Sequence, residues 1–369
     1  MIKHGHLYYK SDKDVFDALH NRKFGKKVIT EQLRDRGVLI SIEDNDEDMV
    51  EYASLLFLNY HDQQFISETL NSRSQKKNFK SWEITADLPS EDNDDFLKEL
   101  TKDVKNDLEK EGFDSLDVTK MNDGSYLITT TYTETDYSKS LMTQNLTKSS
   151  EVRIWQDAEN GIKLRGTEDK KTDLLFDKIQ NKIKDVDNSS SVFFIELSSI
   201  LDSKARSEFF IELIKGIKGF VPTNVKSVST STINTPEASE DGDIPPHVNK
   251  LLLTGNSVTQ SEQFNDLNKA GYFITRIVWS AVQDKPLGDK FEFSAEFKDN
   301  RNCRDFSYTP LRFYSCKENG EYNISPNKLP DITISSLLTL IEDSAIIVHR
   351  SIVEKYSPLN STESNNEDD

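Results

Sequence analysis

The sequence predicts an α+β protein, with a helical N-terminal module followed by two mixed, mainly antiparallel sheet units with packed helices. Three observations carry that reading. Apolar residues recur at helical spacing between residues 12 and 72, they alternate at period two from Trp82 to Leu88 and from Phe291 to Phe297, and turn pairs such as Asp123-Gly124 and Asn319-Gly320 separate short extended segments. The patterning divides the chain into 1–80, 81–187 and 188–356, with a disordered acidic tail over 357–369.

In the first segment Val15, Phe16 and Leu19 share one face of a short helix, and Ile29 and Leu33 share a face of a second, which Gly37 stops. Val38 to Ile42 is a continuous apolar extended piece. Asp44, with Glu47 three residues later, predicts a capping-box start for the next helix, whose inner side is Met49, Ala53, Leu56 and Tyr60. A further helix follows His61 and turns Phe65, Ile66 and Leu70 inward. Residues 73–81 are polar and basic, the composition of a linker.

The second segment opens on a strand with Trp82, Ile84, Ala86 and Leu88 inward and Glu83, Thr85 and Asp87 towards water. After the acidic loop Pro89 to Asp95, a helix carries Leu97, Leu100, Val104 and Leu108 on one stripe and ends at Gly112. Asp123-Gly124 joins a strand around Leu116 and Val118 to one from Tyr126 to Tyr132, and a Ser/Thr-rich loop follows. A second hairpin pairs Val152–Trp155 with Ile162–Leu164 across Glu159-Asn160-Gly161, and a helix with Leu175, Ile179 and Ile183 closes the segment.

The third segment follows a joint at 187–190. A strand from Val192 to Leu197, a helix with Phe209, Phe210, Leu213 and Ile217, and a strand through Val225 and Val228 lead to a Pro- and acid-rich surface loop over 234–246. Beyond it come a strand at Leu251–Leu253, a helix over Ser261–Ala270 and strands over Tyr272–Val282, Phe291–Phe297 and Phe306–Tyr314. A last helix from about Thr333 to Tyr356 has Leu337, Leu340, Ile341, Ile347 and Ile352 as its apolar side.

Composition narrows the function. With 369 residues, 35% hydrophobic and 9% aromatic, the chain can fill two or three cores. It shows no run of 18 apolar residues and no apolar signal core near its start, so we expect a cytoplasmic protein with no membrane partner. Cys303 and Cys316 are too few for a disulfide scaffold and lack the His pair that would complete a tetrahedral metal site. The six histidines are scattered, and no nucleophile elbow, phosphate loop or dinucleotide fingerprint occurs, so hydrolase, ATPase and dehydrogenase chemistry lack their parts and no cofactor is expected. A formal charge of −18 argues against a protein that coats nucleic acid non-specifically. The acids gather in loops (43–51, 91–95, 237–243) and in the tail, which suits solubility better than a row of carboxylates imitating phosphates.

Location matters more than the total. Residues 1–80 hold thirteen Lys and Arg against thirteen Asp and Glu, so the −18 sits in residues 81–369. Arg22, Lys23, Lys26, Lys27, Arg34 and Arg36 place six cations within fifteen residues, at the approach to one helix and on its outer face, where they can reach phosphate oxygens. This stretch resembles the SAP family of small helix-extended-helix DNA-binding modules: Leu33, Arg36-Gly37, Val38, Ser41, Asp48, Met49-Val50 and Leu55 fall where such modules carry Leu, Arg-Gly-Leu, Ser, an acidic residue, an apolar pair and Leu. The resemblance covers about thirty residues and implies DNA contact through the six cations. Where SAP modules carry Gly followed by basic residues, this chain has Ile42-Glu43-Asp44-Asn45-Asp46, whose carboxylates repel a phosphate backbone.

A metal-dependent nuclease needs carboxylates and a Lys converging on one sheet edge to hold Mg²⁺ and orient water, and Asp289, Glu296 and Lys298 are the candidates, Glu296-Phe297-Lys298 being an acid-x-Lys element. The aromatic stretch Phe291–Tyr314 reads as core at its Phe positions, leaving Tyr308 with Arg301, Arg304 and Arg312 as surface contacts for bases. The expectation is a non-enzymatic adaptor or binding subunit of a nucleic-acid-processing system. It would have a protein partner and contact DNA weakly through the N-terminal module. A Mg-dependent nuclease and a structural interaction subunit without nucleic acid stand as alternatives.

Overall fold

The structure, a computed structural model, describes residues 10–20, 24–39, 41, 45–56, 58–71, 77–86, 93–108, 113–157, 161–232, 250–254 and 269–356. The chain forms two compact units, the first made of Met1–Gln75, Lys102–Thr119 and Ile128–Glu151, the second of Lys76–Thr101, Lys120–Leu127 and Val152–Asp369. The class is α+β, with every strand pairing that registers residue by residue antiparallel.

The first unit begins with helices α1 (Asp12–Leu19), α2 (Lys26–Asp35), α3 (Asp46–Ser54) and α4 (Tyr60–Asn71). Local chemistry sets their ends. Ser11 and Asp14 close a reciprocal capping box on α1, the Asp14 N–H donating to Ser11 Oγ and the Ser11 N–H to the Asp14 carboxylate. Gly37, at φ +76°, ends α2. Its N–H donates to the Arg34 carbonyl at 2.8 Å and that of Val38 to the Leu33 carbonyl at 2.9 Å, the paired bonds of a Schellman turn that a residue with a Cβ would strain. The start of α3 corrects the expected Asp44 box: Asn45 is the cap, its side chain accepting from the Glu47 N–H. This helix also stops at Ser54, so Leu56 lies past its end and Tyr60, 74% exposed, opens α4 instead of lining α3. Val15, Leu19, Ile29, Leu33, Met49, Ala53, Ile66 and Leu70 bury together with Met142, whose carbonyl accepts from Ser67 Oγ at 2.7 Å.

Strands β2 (Ser115–Lys120), β3 (Tyr126–Thr135) and β4 (Asn145–Gln156) are neighbours in that order. Gly124 at φ +81° makes the Asp123-Gly124 turn, and β4 takes up the last part of the expected Ser/Thr-rich loop.

In the second unit β1 (Phe79–Thr85) lies between β5 (Gly161–Thr167) and β11 (Arg304–Tyr314), so the end of the expected linker is strand. The order continues through β10 (Lys290–Asp299), β9 (Tyr272–Gln283), β7 (Phe220–Thr232) and β8 (Lys250–Thr254), and the end of β4 pairs with β5. The strand expected over Val192–Leu197 is cut to β6 (Ser191–Phe193) on β1, because the chain then turns away and Leu197 donates its N–H to the Cys303 carbonyl at 3.0 Å. Helix α5 (Asn93–Leu108) presents the expected stripe, α6 (Lys170–Val186) places Phe176 against Trp82 with ring centroids 4.1 Å apart, and α7 (Ser203–Gly216) packs on β9. The loops expected over 89–95 and 234–246, the tail 357–369 and all but the last two residues of the helix expected over 261–270 lie outside the described residues, the first except for its last three positions.

Helix α8 (Asp331–Tyr356) is long and apolar enough to cross a membrane by length and composition, and it packs on α7 and β11. Its buried side runs through Leu337, Leu338, Ile341, Ala345, Val348 and Ile352. Ile347, expected inside, is 59% exposed, because a helix that buries 341 and 345 returns to the core at 348 and 352. The expected surface role of Tyr308 is also corrected: the residue is fully buried on β11, and its Oη donates to Glu342 Oε2 of α8 at 2.9 Å. Arg165 of β5 reaches the same oxygen, Nε lying 2.7 Å away, and donates from Nη2 to Thr339 at 3.0 Å. Burial pushes the Glu342 carboxyl up from the usual carboxylate range against the pull of Arg165 and Tyr308. Of the arginines expected beside Tyr308, Arg304 pairs with Glu196 and Arg312 with the buried Glu292, while the Arg301 carbonyl accepts from Arg206. Both thiols are free, and burial pushes that of Cys303 up to about 12, outside reactive range.

Buried His349 of α8 approaches the Glu196 carbonyl through Nε2 at 2.8 Å and meets the Phe193 ring edge-on. Burial lowers its pKa below 6.5. The unfolded chain therefore takes up this proton first, and the stability present above pH 6.5 falls as the pH drops towards the folded value. Chemical denaturation between pH 7 and 5 should show that slope, and His349→Gln should flatten it. Arg165→Met should cost about 3–5 kcal/mol by leaving Glu342 buried without its cation, while adding Glu342→Leu should restore most of the loss, as read by denaturant midpoints.

Candidate functional site

Helix α2 organises the cationic surface. Ile29 and Leu33 fall four residues apart and bury at 3% and 4%, which turns Lys27 and Arg34 to solvent. The other cations of the helix and its cap have acid neighbours. Lys26 Nζ lies 3.6 Å from Asp46, at the start of α3, and Arg36 Nη1 lies 3.8 Å from Asp62 of α4. Lys27, with its side chain 88% exposed, meets Glu31 one turn on at 4.0 Å, and Arg34 has no acid partner among the described residues. Arg22 and Lys23 lie outside the described residues. Charge pairs near the limit of contact are weak, about 0–1 kcal/mol each where exposed, so they cancel much of the local field without fixing the side chains.

The link after α2 leaves Leu39 86% exposed, and on the other side of α3 Tyr52 and Leu55 are 49% and 65% exposed. These two are three residues apart and share one side of the helix end, and with Tyr60 they put large apolar groups on a unit whose core is already filled. Sequence spacing assigned Tyr60 to the core; exposure of Tyr52 and Leu55 had no signal in the pattern.

The three candidate nuclease residues do not converge. Asp289 precedes β10 and accepts from the Cys316 N–H at 2.9 Å, whereas Glu296 stands seven residues further on, about 23 Å along an extended strand. Glu296 and Lys298 do share a face, and the acid they meet is Glu168, at the end of β5. Asn78 Nδ2 donates to Glu168 Oε2 at 3.0 Å and to Glu296 Oε1 at 2.9 Å, Lys298 Nζ lies 3.0 Å from Glu168 Oε1, and Arg276 Nε lies 3.1 Å from Glu296. Burial works to raise the Glu168 carboxyl, but the Asn78 amide and Lys298 outweigh it and hold it below the usual range. The Glu168 bond in turn raises the Lys298 ammonium. Lys80 is buried beside this network, pairs with Asp173 of α6 and is lowered by burial against the pull of Asp305 and Glu168. Each carboxylate here already faces a cation or an amide donor, and among the described residues no three His, Cys, Asp or Glu side chains form a group suited to a metal ion.

No protein-family model matches the chain, and no curated protein is similar to it. The network around Asn78 has a structural consequence. Asn78→Ala removes the one amide that bridges Glu168 and Glu296, and the two carboxylates, left facing each other, should cost about 1–3 kcal/mol in denaturant unfolding; Asn78→Asp should cost more by adding a third like charge.

Proposed function

We propose that the protein is a non-enzymatic binding subunit that works beside a nucleic-acid-processing partner and makes a weak contact with DNA through the helical surface of its first unit. The observation that supports this reading is the division of α2. Two buried aliphatics anchor one side, and Lys27 and Arg34 stand on the other with their charges least committed. A polyanion approaching that side meets two cations directly and can draw Lys26 and Arg36 from their long contacts with Asp46 and Asp62. The negative charge of the remaining chain keeps the contact from spreading into general coating of nucleic acid.

A second reading, docking of a protein without nucleic acid, is favoured by exposed Leu39, Tyr52, Leu55 and Tyr60. The two readings separate in one titration. In the first, the full-length chain binds duplex DNA at low salt with a slope of about −2 in log affinity against log salt, the value for two phosphate contacts, and Lys27→Ala with Arg34→Ala abolishes binding. Absence of DNA binding at low salt overturns it and leaves the docking surface as the function of the unit.

A further inference from the structure

An open cleft of about 520 Å³ in the second unit takes no part in the surfaces above. Lys120, Asp123, Arg153, Trp155 and Arg165 line it together with Leu97, so three cations face one carboxylate in a chain whose net charge is −18. The strand register sharpens the point. Arg153 of β4 and Arg165 of β5 are direct cross-strand partners, which sets two guanidiniums side by side on one face of the sheet, an arrangement that is unfavourable unless counter-charges offset it. Glu342 offsets Arg165 from within the core. Trp155, two residues along the same face, lies under both, its ring centroid 5.8 Å from the Arg153 guanidinium and 5.1 Å from that of Arg165.

Arg153 is held by a built frame. Its Nε donates to Ser125 Oγ and its Nη1 to Ser335 Oγ, both at 2.9 Å, and Nη2 meets Asp123 Oδ2, so that three of the five N–H donors of a guanidinium are in use. Asp123 is held separately: its Oδ1 accepts from Ser125 N–H at 3.1 Å and Ser125 Oγ–H at 2.6 Å within the hairpin turn. The Oδ2 oxygen is thereby left as a single carboxylate oxygen at the guanidinium, in the place an oxyanion from solution would take. Lys120, at the exposed end of β2, lies across the mouth of the cleft with Nζ 5.8 Å from the Tyr126 ring.

We propose that this cleft binds a small organic phosphate, with the phosphate taken by Arg153 and Lys120, the organic part lying against Trp155 and Leu97, and Asp123 acting as an internal anion that the phosphate displaces. Two cations of different reach suit a group that carries up to two negative charges and several acceptor oxygens better than they suit a single carboxylate. The cleft volume is that of a small-molecule site and accommodates a mononucleotide or a sugar phosphate. The site is independent of the DNA contact proposed for α2, and the two can fail separately.

The test is a titration of the full-length chain with inorganic phosphate, adenosine monophosphate and succinate, followed by calorimetry and by tryptophan emission. Trp155 is the reporter, since Trp279 is fully buried and Trp82 packs against Phe176. We expect saturable binding of phosphate and of the nucleotide, and weak or no binding of succinate. Trp155→Phe should remove the emission change while the heat remains, Arg153→Gln and, separately, the exposed Lys120→Gln should each weaken affinity about tenfold, and Asp123→Asn should tighten it several-fold. Tighter binding of the nucleotide than of phosphate assigns the organic part to the Trp155 wall, and equal binding reduces the site to its phosphate pocket; both support the proposal. No saturation by either phosphate up to about 10 mM, succinate binding as tightly as phosphate, or Lys120→Gln and Asp123→Asn both leaving affinity unchanged overturns it.

Discussion

The second unit depends on one buried carboxylate. Glu342 of α8 is 3% exposed, and it collects Arg165 from β5 and Tyr308 from β11 on a single oxygen. Those two strands flank β1, so the contact clamps three adjacent strands and the long C-terminal helix at one point. An ion pair at this depth loses most of its attraction to the cost of removing both charges from water, and it adds little net stability over apolar packing. Its effect is on geometry. An aliphatic helix such as α8 could slide by a turn over an aliphatic sheet at small cost, but a turn's displacement would leave a guanidinium and a carboxylate buried and unpaired.

The same clamp shapes the cleft. Arg165 is drawn inward by Glu342 while its cross-strand partner Arg153 is drawn outward by Asp123, Ser125 and Ser335. Trp155 lies under both guanidiniums, 5.8 Å from that of Arg153 and 5.1 Å from that of Arg165, and stays partly exposed. With Arg153 and Arg165 held in place, a ligand entering this cleft would order few side chains on binding, a small cost.

The first unit obeys a looser electrostatic rule. Around α2 the ion pairs of Lys26, Lys27 and Arg36 are long, 3.6 to 4.0 Å, so each is worth little and can be exchanged. Around Asn78 the opposite holds: Glu168, Glu296, Lys298 and Arg276 meet at hydrogen-bond distances, and one amide joins the two acids. Strong charges brought close and satisfied make structure, whereas weak pairs at the surface leave charge available for a partner.

Local elements were legible in the chain because their causes are local. The period-two run through Trp82 and Ile84, the stripe of Leu97, Leu100 and Val104, Gly37 at the end of α2 and Gly124 in its hairpin each follow from side-chain spacing or from a backbone angle that favours glycine. Errors of a residue or a turn came where two local signals competed, as at Asn45 against Asp44 and at Val348 against Ile347. The class and most of the strands, though not all their ends, were therefore determined by sequence alone. Neighbours across a short turn were legible too, as in the β2–β3 and β4–β5 hairpins, but the long-range neighbours were not, because pairing of Phe79 with Tyr308 depends on closure of a long loop whose ends carry no mutual mark. Glu168 joining Glu296 and Lys298 through Asn78, and Tyr308 turning from surface to core to meet Glu342, follow from such long-range closure, and only the tertiary structure, by bringing residues distant in the chain within hydrogen-bonding reach, decided them.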